Sequence, residues 1–231
     1  MACGYHHLDV NGISNPSKYR VMKWRPSSIG KLMTNARSKN EVLSETAKSY
    51  IKSQAKQNFY GYNLELNNKY INKGILQEHD SIDLINAVRF TDYSKHIGRV
   101  ESELMSGECD ILLDDMIIDV KTSWSLETFP ATREDANDRD YEWQGRAYMH
   151  LYDRDVFEVI HCMVSTDPKD EFNLLTPWDN LSVHRVDHID PAKRITVCRY
   201  ERDLDLELDM LTKLRYASEF YAQVMNELVN K

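Results

Sequence analysis

Cysteine is scarce in this 231-residue chain and never clustered: Cys3, Cys109, Cys162 and Cys198 make no CxxC and no zinc or iron–sulfur spacing. That excludes a disulfide framework and points to a reducing compartment, the cytoplasm. Long hydrophobic runs are missing as well. Nothing approaches the ~20 apolar residues a membrane helix needs, and no signal-peptide core opens the sequence. Gly30-Lys31 is not a P-loop, because the upstream glycine and the following Ser/Thr are absent. Internal repeats and low-complexity tracts are also absent. What remains is one soluble domain over 1–231 with length for a substantial core.

Net positive charge is lacking too, at −8 overall. The balance is uneven: residues 1–57 hold ten Lys/Arg against three Asp/Glu, and 58–231 hold nineteen against thirty-four. A basic leading segment before an acidic body is either a solvated helical surface or a face for an anionic partner.

The densest chemistry lies in Gly107–Ser123. Two aliphatic runs flank Asp114-Asp115, a turn-forming pair, so the stretch reads as a β-hairpin. With those two residues in the turn, Leu113 pairs with Met116, Asp110 faces Asp119, and Glu108 faces Lys121. All four polar residues then share one face, and Cys109, Ile111, Leu113, Met116, Ile118 and Val120 share the other. Directly opposed residues bring their Cβ atoms to about 4.5–5.5 Å, where like charges repel. Two carboxylates there share a proton or hold a cation, and hard divalent ions favour oxygen ligands. The alternative is a solvated surface hairpin with a salt bridge.

The remaining elements follow in order. Residues 1–19 read as an arm, and the His6-His7 pair within it as solvent-exposed. After Arg20, Lys23, Trp24 and Arg25, a helix begins at Ser27 or Ser28 as N-cap. Its N-terminus beside basic residues suits a phosphate, or is simply a capped helix. A second helix covers Glu41–Gln57. A third covers about Lys69–Phe90, with Ile71, Ile75, Ile82 and Ile85 at helical spacing and Glu78 in the same stripe. A carboxylate on a core face must be paired, protonated or metal-bound. Residues 96–105 read as a strand, and 124–135 as a polar loop, mobile or substrate-contacting. A fourth helix over Ala136–Tyr152 aligns Tyr141, Tyr148 and Leu151 with Gln144, whose amide needs partners. Phe157–Ser165 reads as a central strand, Thr166-Asp167-Pro168 as a turn, and the His184/His188 pair as strand or loop. A strand over Arg194–Tyr200 precedes a long helix striped by Leu204, Leu208, Leu211, Leu214, Tyr221, Val224 and Leu228.

The motifs Gly74-x-x-x-Glu78, Asp110-x8-Asp119-x-Lys121 and Gln144-x-x-x-Tyr148, in that order, resemble the PD-(D/E)XK nuclease superfamily. The likeness is to phage-type exonucleases similar to bacteriophage lambda exonuclease and the YqaJ viral recombinases, and runs from about Arg20 to Asp167. It implies an α/β, restriction-endonuclease-like core over 20–168, a central mixed β-sheet flanked by helices, with 169–231 adding strands and the long helix. It implies Asp110, Asp119 and the Val120 carbonyl as ligands of Mg²⁺, with Mn²⁺ as substitute and two ions in all, and Glu78 completing or flanking the site. Lys121 would orient or deprotonate the attacking water, and Gln144 would brace the network. Arg20 and Ser27, with Arg25 nearby, match positions that bind a terminal 5′ phosphate, and Tyr148 joins the DNA contacts.

The implied activity is Mg²⁺-dependent exonucleolytic hydrolysis of duplex DNA ends, 5′ to 3′, leaving 3′ strands for recombination. A ring-shaped trimer, a single-strand annealing partner and the cytoplasm of a bacterial host are implied with it. Endonuclease action and a catalytically silent DNA-binding role are the alternatives. Two departures stand out: Cys109 replaces the usual proline, and Asp119 stands where glutamate is common. The cysteines are not placed for the four-cysteine iron–sulfur variants of RecB-like nucleases.

Overall fold

The computed structural model describes residues 22–62 and 68–231. Those residues form eight α-helices and two sheets in an α/β arrangement. The main sheet has four strands in the order β3 (Ile111–Leu112), β4 (Met116–Thr122), β5 (Val156–Cys162), β6 (Ile195–Glu201). Only the β4–β5 pair is parallel, so the sheet is mixed. A parallel pair needs a crossover, and α6 (Arg139–Tyr152) supplies it.

Both faces of the sheet are covered, which explains the near-continuous aliphatic runs in β4 and β5. On one side α4 (Glu78–Arg89) sets Ile82, Leu84 and Ile85 against Ile111, Ile118, Val120, Ile160 and Cys162. On the other, Tyr148, Met149 and Tyr152 of α6 cover Ile117, Phe157 and Val159. The far side of α6, through Trp143 and Ala147, packs on α1 (Ile29–Leu32), α2 (Glu45–Tyr60) and α8 (Leu204–Val229). The layers are therefore α4, sheet, α6, and an outer group of three helices. Strand β6 and helix α8, from beyond residue 168, belong to the same sheet and core.

Side-chain caps set most helix starts: Ser44 for α2, Asp138 for α6 and Asp203 for α8 each accept from a backbone N–H one turn in. Helix α2 ends at Gly61 with φ 68°, the left-handed conformation glycine tolerates. Gly145 serves contact rather than conformation. A Cβ there would come within 2.1 Å of the Phe157 ring, so its absence lets α6 settle onto β5.

Several expectations need correcting. The third helix is two, α3 (Lys69–Leu76) and α4, broken at Gln77 (φ −114°, ψ 19°). The break rotates the stripe: Ile82 and Ile85 are buried, while Ile71 and Ile75 are exposed and Lys73 takes the buried place. The second helix starts at Glu45, where Ser44 caps it, and not at Glu41. Before α6 there is a separate short α5 (Arg133–Ala136), because Thr132 and Asp138 each cap a new start. Residues 96–105 hold only β1 (Val100–Glu101), which pairs with β2 (Ser106–Gly107) outside the main sheet. Asp167-Pro168 is no plain turn, since Asp167 caps α7 (Pro168–Leu174) with proline in its first turn. On α8, Leu204 and Leu208 are exposed on the outward face, while Leu206 between them packs on the core and Met210 joins the buried stripe.

Among the described residues no helix is long and apolar enough to cross a membrane. His6-His7, Arg20 and Cys3 lie outside the described residues, and Cys109, Cys162 and Cys198 are free and buried.

Overpacking at the α6–β5 contact costs about 1–3 kcal/mol. Gly145→Ala is therefore expected to lower the Tm by several degrees in a thermal melt. An unchanged Tm would show that the contact yields freely.

Candidate active site

The hairpin forms in the expected register. Ile111 pairs with Ile118 and Leu112 with Ile117, and the Leu113 N–H donates to the Met116 carbonyl at 2.8 Å, leaving Asp114-Asp115 in the turn. The same register sets Asp110 opposite Asp119. Strand pairing stops there, because the chain bends at Asp110. Alternation fails across the bend: Cys109 packs with Ile117 on the α6 side and not with Ile111, a correction to the expected apolar face. Glu108 leaves the Lys121 face as well, its side chain accepting from the Gly98 N–H at 3.2 Å.

Asp119 is the buried centre of the site. One oxygen, Oδ1, accepts from the Gln144 amide at 2.6 Å. The other, Oδ2, meets the Lys121 ammonium in an ion pair at 2.6 Å. Asp110 turns Oδ2 onto the Val120 N–H at 2.7 Å, a bond across the end of the hairpin. Burial pushes the Asp110 carboxyl up to about 7, and the Asp119 charge adds to the effect. The Val120 N–H and Lys121 oppose that rise without cancelling it. For Lys121, burial favours the neutral amine, but the adjacent Asp119 carboxylate outweighs it and holds the ammonium above its ordinary value.

Glu78, the first residue of α4, has its carboxylate in an ion pair with Lys95. It still adds negative potential at Asp110. The arrangement fits a hard cation: two opposed carboxylates, one of them raised toward neutrality for want of a counter-charge, and a third carboxylate in reserve. Among the described residues no three Asp, Glu, His or Cys side chains stand ready as a finished cage. Asp110 and Asp119 would hold the ion, and Glu78 would join after leaving Lys95.

The segment expected to meet a terminal phosphate lies beside this hairpin. Trp24 is fully buried, exchanges backbone bonds with Leu104 and Ser106, and donates its indole N–H to Ser218. Pro26 abuts Gly107 and Tyr148 closely enough that a Cβ on Gly107 would clash. Arg25 and Ser27 are exposed on that turn, which is a 3-10 turn (Pro26–Ser28) opening the four-residue α1. Neither serine caps by its side chain: Pro26 fills the first position, and the Ser28 hydroxyl donates back to the Arg25 carbonyl at 2.8 Å. A helix this short has little dipole, so an anion there would depend on the side chains. Tyr148 is buried, and its hydroxyl donates to the Glu108 carbonyl at 2.8 Å, holding the chain two residues before Asp110.

Three residues at or near the site had no sequence signal of their own, Lys95, His161 and Lys73, and Tyr141 was expected only as part of an apolar stripe. Lys121 lies 5.1 Å over the Tyr141 ring, and His161 is its neighbour across the parallel ladder. Lys73 is fully buried, its ammonium donating to the Trp124 carbonyl at 2.8 Å and the Val164 carbonyl at 3.2 Å, and burial pushes it down to about 8. It ties α3 to the exits of β4 and β5. His184 is buried against Trp124 with its Nδ1 3.3 Å from the Thr166 hydroxyl, while His188 is exposed, so the two do not converge.

No family profile and no curated protein sequence matches the chain. Solved structures do. A phage-related exonuclease from Haemophilus somnus 129PT is 30% identical with a TM-score of 0.85, over 92% of this chain and 99% of that one. An alkaline exonuclease (LHK-Exo) from Laribacter hongkongensis shares the fold at 15% identity, TM-score 0.63, over 89% of this chain and 91% of its own. LHK-Exo in complex with dAMP gives 17% and 0.61, over 89% of each chain. The mixed sheet with its acid-lined hairpin is the core of the PD-(D/E)XK nuclease superfamily. Within that superfamily the chain belongs to the phage-related exonucleases.

The raised Asp110 carboxyl has a stability consequence. Its folded value of about 7 lies above its ordinary 3.8, so the folded state holds a proton that the unfolded state releases. Its contribution is therefore full below about pH 4 and is lost as pH rises through 7. In chelator, the metal-free wild type is expected to lose Tm between pH 4 and 7 more steeply than Asp110→Asn. Parallel Tm profiles for the two proteins would show that Asp110 ionises normally.

Proposed function

We propose that this nuclease is a Mg²⁺-dependent deoxyribonuclease that degrades duplex DNA from its ends, 5′ to 3′, leaving 3′ single strands for recombination. The observation that carries the reading is Asp110 opposed to Asp119, with Lys121 on one Asp119 oxygen and Gln144 on the other. Like charges held at close quarters in a buried site are costly, and a fold gains nothing structural from them. Bound there, Mg²⁺ would supply a water nucleophile at neutral pH and offset charge on the scissile phosphate.

The chain's own residues do the rest. Gln144 holds Oδ1 of Asp119, which leaves Oδ2 to Lys121 and to a cation. Lys121 places a positive charge beside that oxygen, where it can orient the attacking water, favour its hydroxide form and balance the pentavalent phosphorus centre. Arg25 and Ser27, on the turn seated against the hairpin, offer a cation and a hydroxyl to a terminal 5′ phosphate. That seat would favour ends over internal bonds. Arg20 would add a second cation. A trimeric ring and a single-strand annealing partner come to this proposal from the family resemblance. The endonuclease reading has no separate observation in its favour.

The test is digestion of linear duplex with 5′-phosphate or 5′-hydroxyl ends, and of closed circular duplex, in Mg²⁺ or EDTA. Linear phosphorylated DNA should be consumed from its 5′ ends in Mg²⁺ alone, with circles intact. Asp119→Asn should lose about a thousandfold or more in rate, the several kcal/mol a bound metal contributes. Gln144→Ala, which removes a partner of a metal ligand, should lose about 10–100-fold. Circles cut as fast as linear DNA, or full activity in EDTA, would overturn the reading.

A further inference from the structure

Lys121 sits on an aromatic stack that the proposed chemistry leaves unused. Its Nζ lies 5.1 Å over the Tyr141 ring, within the range of a cation–π contact. Tyr141 is in the first turn of α6, three residues before Gln144, so one helix face supports both Lys121 and Asp119. His161 meets the same ring edge to face at 5.5 Å and 60°. His161 is also the direct cross-strand neighbour of Lys121 in the β4–β5 ladder. Its Nε2 is buried with no hydrogen-bond partner, and the imidazole is tied to the Ala136 backbone, ahead of α6. Burial, and then the Lys121 charge, hold the imidazole below its ordinary value, so it stays neutral beside the ammonium.

The stack answers a problem of partners. Asp119 gives Oδ1 to Gln144 and Oδ2 to Lys121. A cation held by Asp110 and Asp119 would draw on Oδ2, and Lys121 would then be left on a flexible four-carbon stem. A second carboxylate under Lys121 would hold it, but would also compete for the cation and cancel the lysine's field. A neutral ring face attracts the ammonium and does neither. We propose that Tyr141 is a positioning residue that holds the Lys121 ammonium in its working place when Asp119 is engaged, with His161 packed against the ring. This rests on the nuclease reading above.

The experiment compares wild type, Tyr141→Leu and Tyr141→Phe in full-length protein. Leucine keeps apolar bulk and removes the ring face, while phenylalanine keeps the face and removes only the hydroxyl. Misplacement of a catalytic group by an ångström costs on the order of a hundredfold, so Tyr141→Leu should lose about ten- to a hundredfold in kcat. KM for DNA and the calorimetric Mg²⁺ affinity should stay within about threefold, since neither depends on Lys121 aim. Tyr141→Phe should recover most of the lost kcat. Independently of activity, the Lys121 methylene protons should show a ring-current shift in wild type and Tyr141→Phe that vanishes in Tyr141→Leu.

A Leu variant with near wild-type kcat, a Phe variant as impaired as Leu, or no ring-current shift in wild type overturns the proposal. Any of these beside an active wild type leaves the nuclease reading standing. A wild type inactive on DNA overturns that reading and this one together.

Discussion

Two carboxylates face one another across the end of a hairpin, and the local structure is organised to keep them there. Asp110 and Asp119 would repel in any setting, and more so where burial removes water. Each is therefore held by groups of opposite character. Asp110 takes the Val120 N–H, and Asp119 takes the Gln144 amide and the Lys121 ammonium. These contacts do not erase the strain, because the Asp110 carboxyl still lies far above its ordinary value. A proton relieves that mismatch, and a bound cation would relieve it too.

Precision in that arrangement comes from packing at some distance. Gln144 reaches Asp119 only because α6 lies close on β5, and the bare Gly145 against the Phe157 ring permits the approach. Tyr148, on the same helix, anchors the Glu108 carbonyl and hence the chain entering the bend at Asp110. The fully buried Trp24 fixes the turn bearing Arg25 and Ser27 beside the hairpin. On the opposite face, the break at Gln77 sets where α4 begins, and so where Glu78 stands. A few contacts between layers thus decide whether the acidic face can hold an ion.

The hairpin was legible from the chain alone, turn and register included, because period-two alternation around Asp114-Asp115 leaves little choice of pairing. The Cys109 face was not, since alternation holds only as far as the pairing does and the chain bends at Asp110. The long amphipathic run from Lys69 read as one helix for a similar reason. Periodicity reports a spacing but cannot register a break that resets its phase, and so Ile71 and Ile75 are exposed where burial was expected. Cap residues held what periodicity missed: Ser44 and Asp138 start helices that were expected to begin at Glu41 and Ala136, and Asp167-Pro168 looked like a turn because the same pair also opens a helix.

The sequence by itself determined the chemistry available: Asp110, Asp119 and Lys121 on a hairpin, Gln144 on a following helix, and a basic segment ahead of an acidic body. Those are local facts, governed by spacing along a strand or helix of known period. Only the tertiary structure decided what those groups meet. The Glu78 carboxylate lies with Lys95, the Tyr148 hydroxyl with the Glu108 backbone, and Lys121 over Tyr141 with His161 beside it. These partners come from separate elements, joined by a parallel crossover and by helix-on-sheet packing. No local period encodes which strand lies next to which, and so the company each site residue keeps could be known only once the layers were in place.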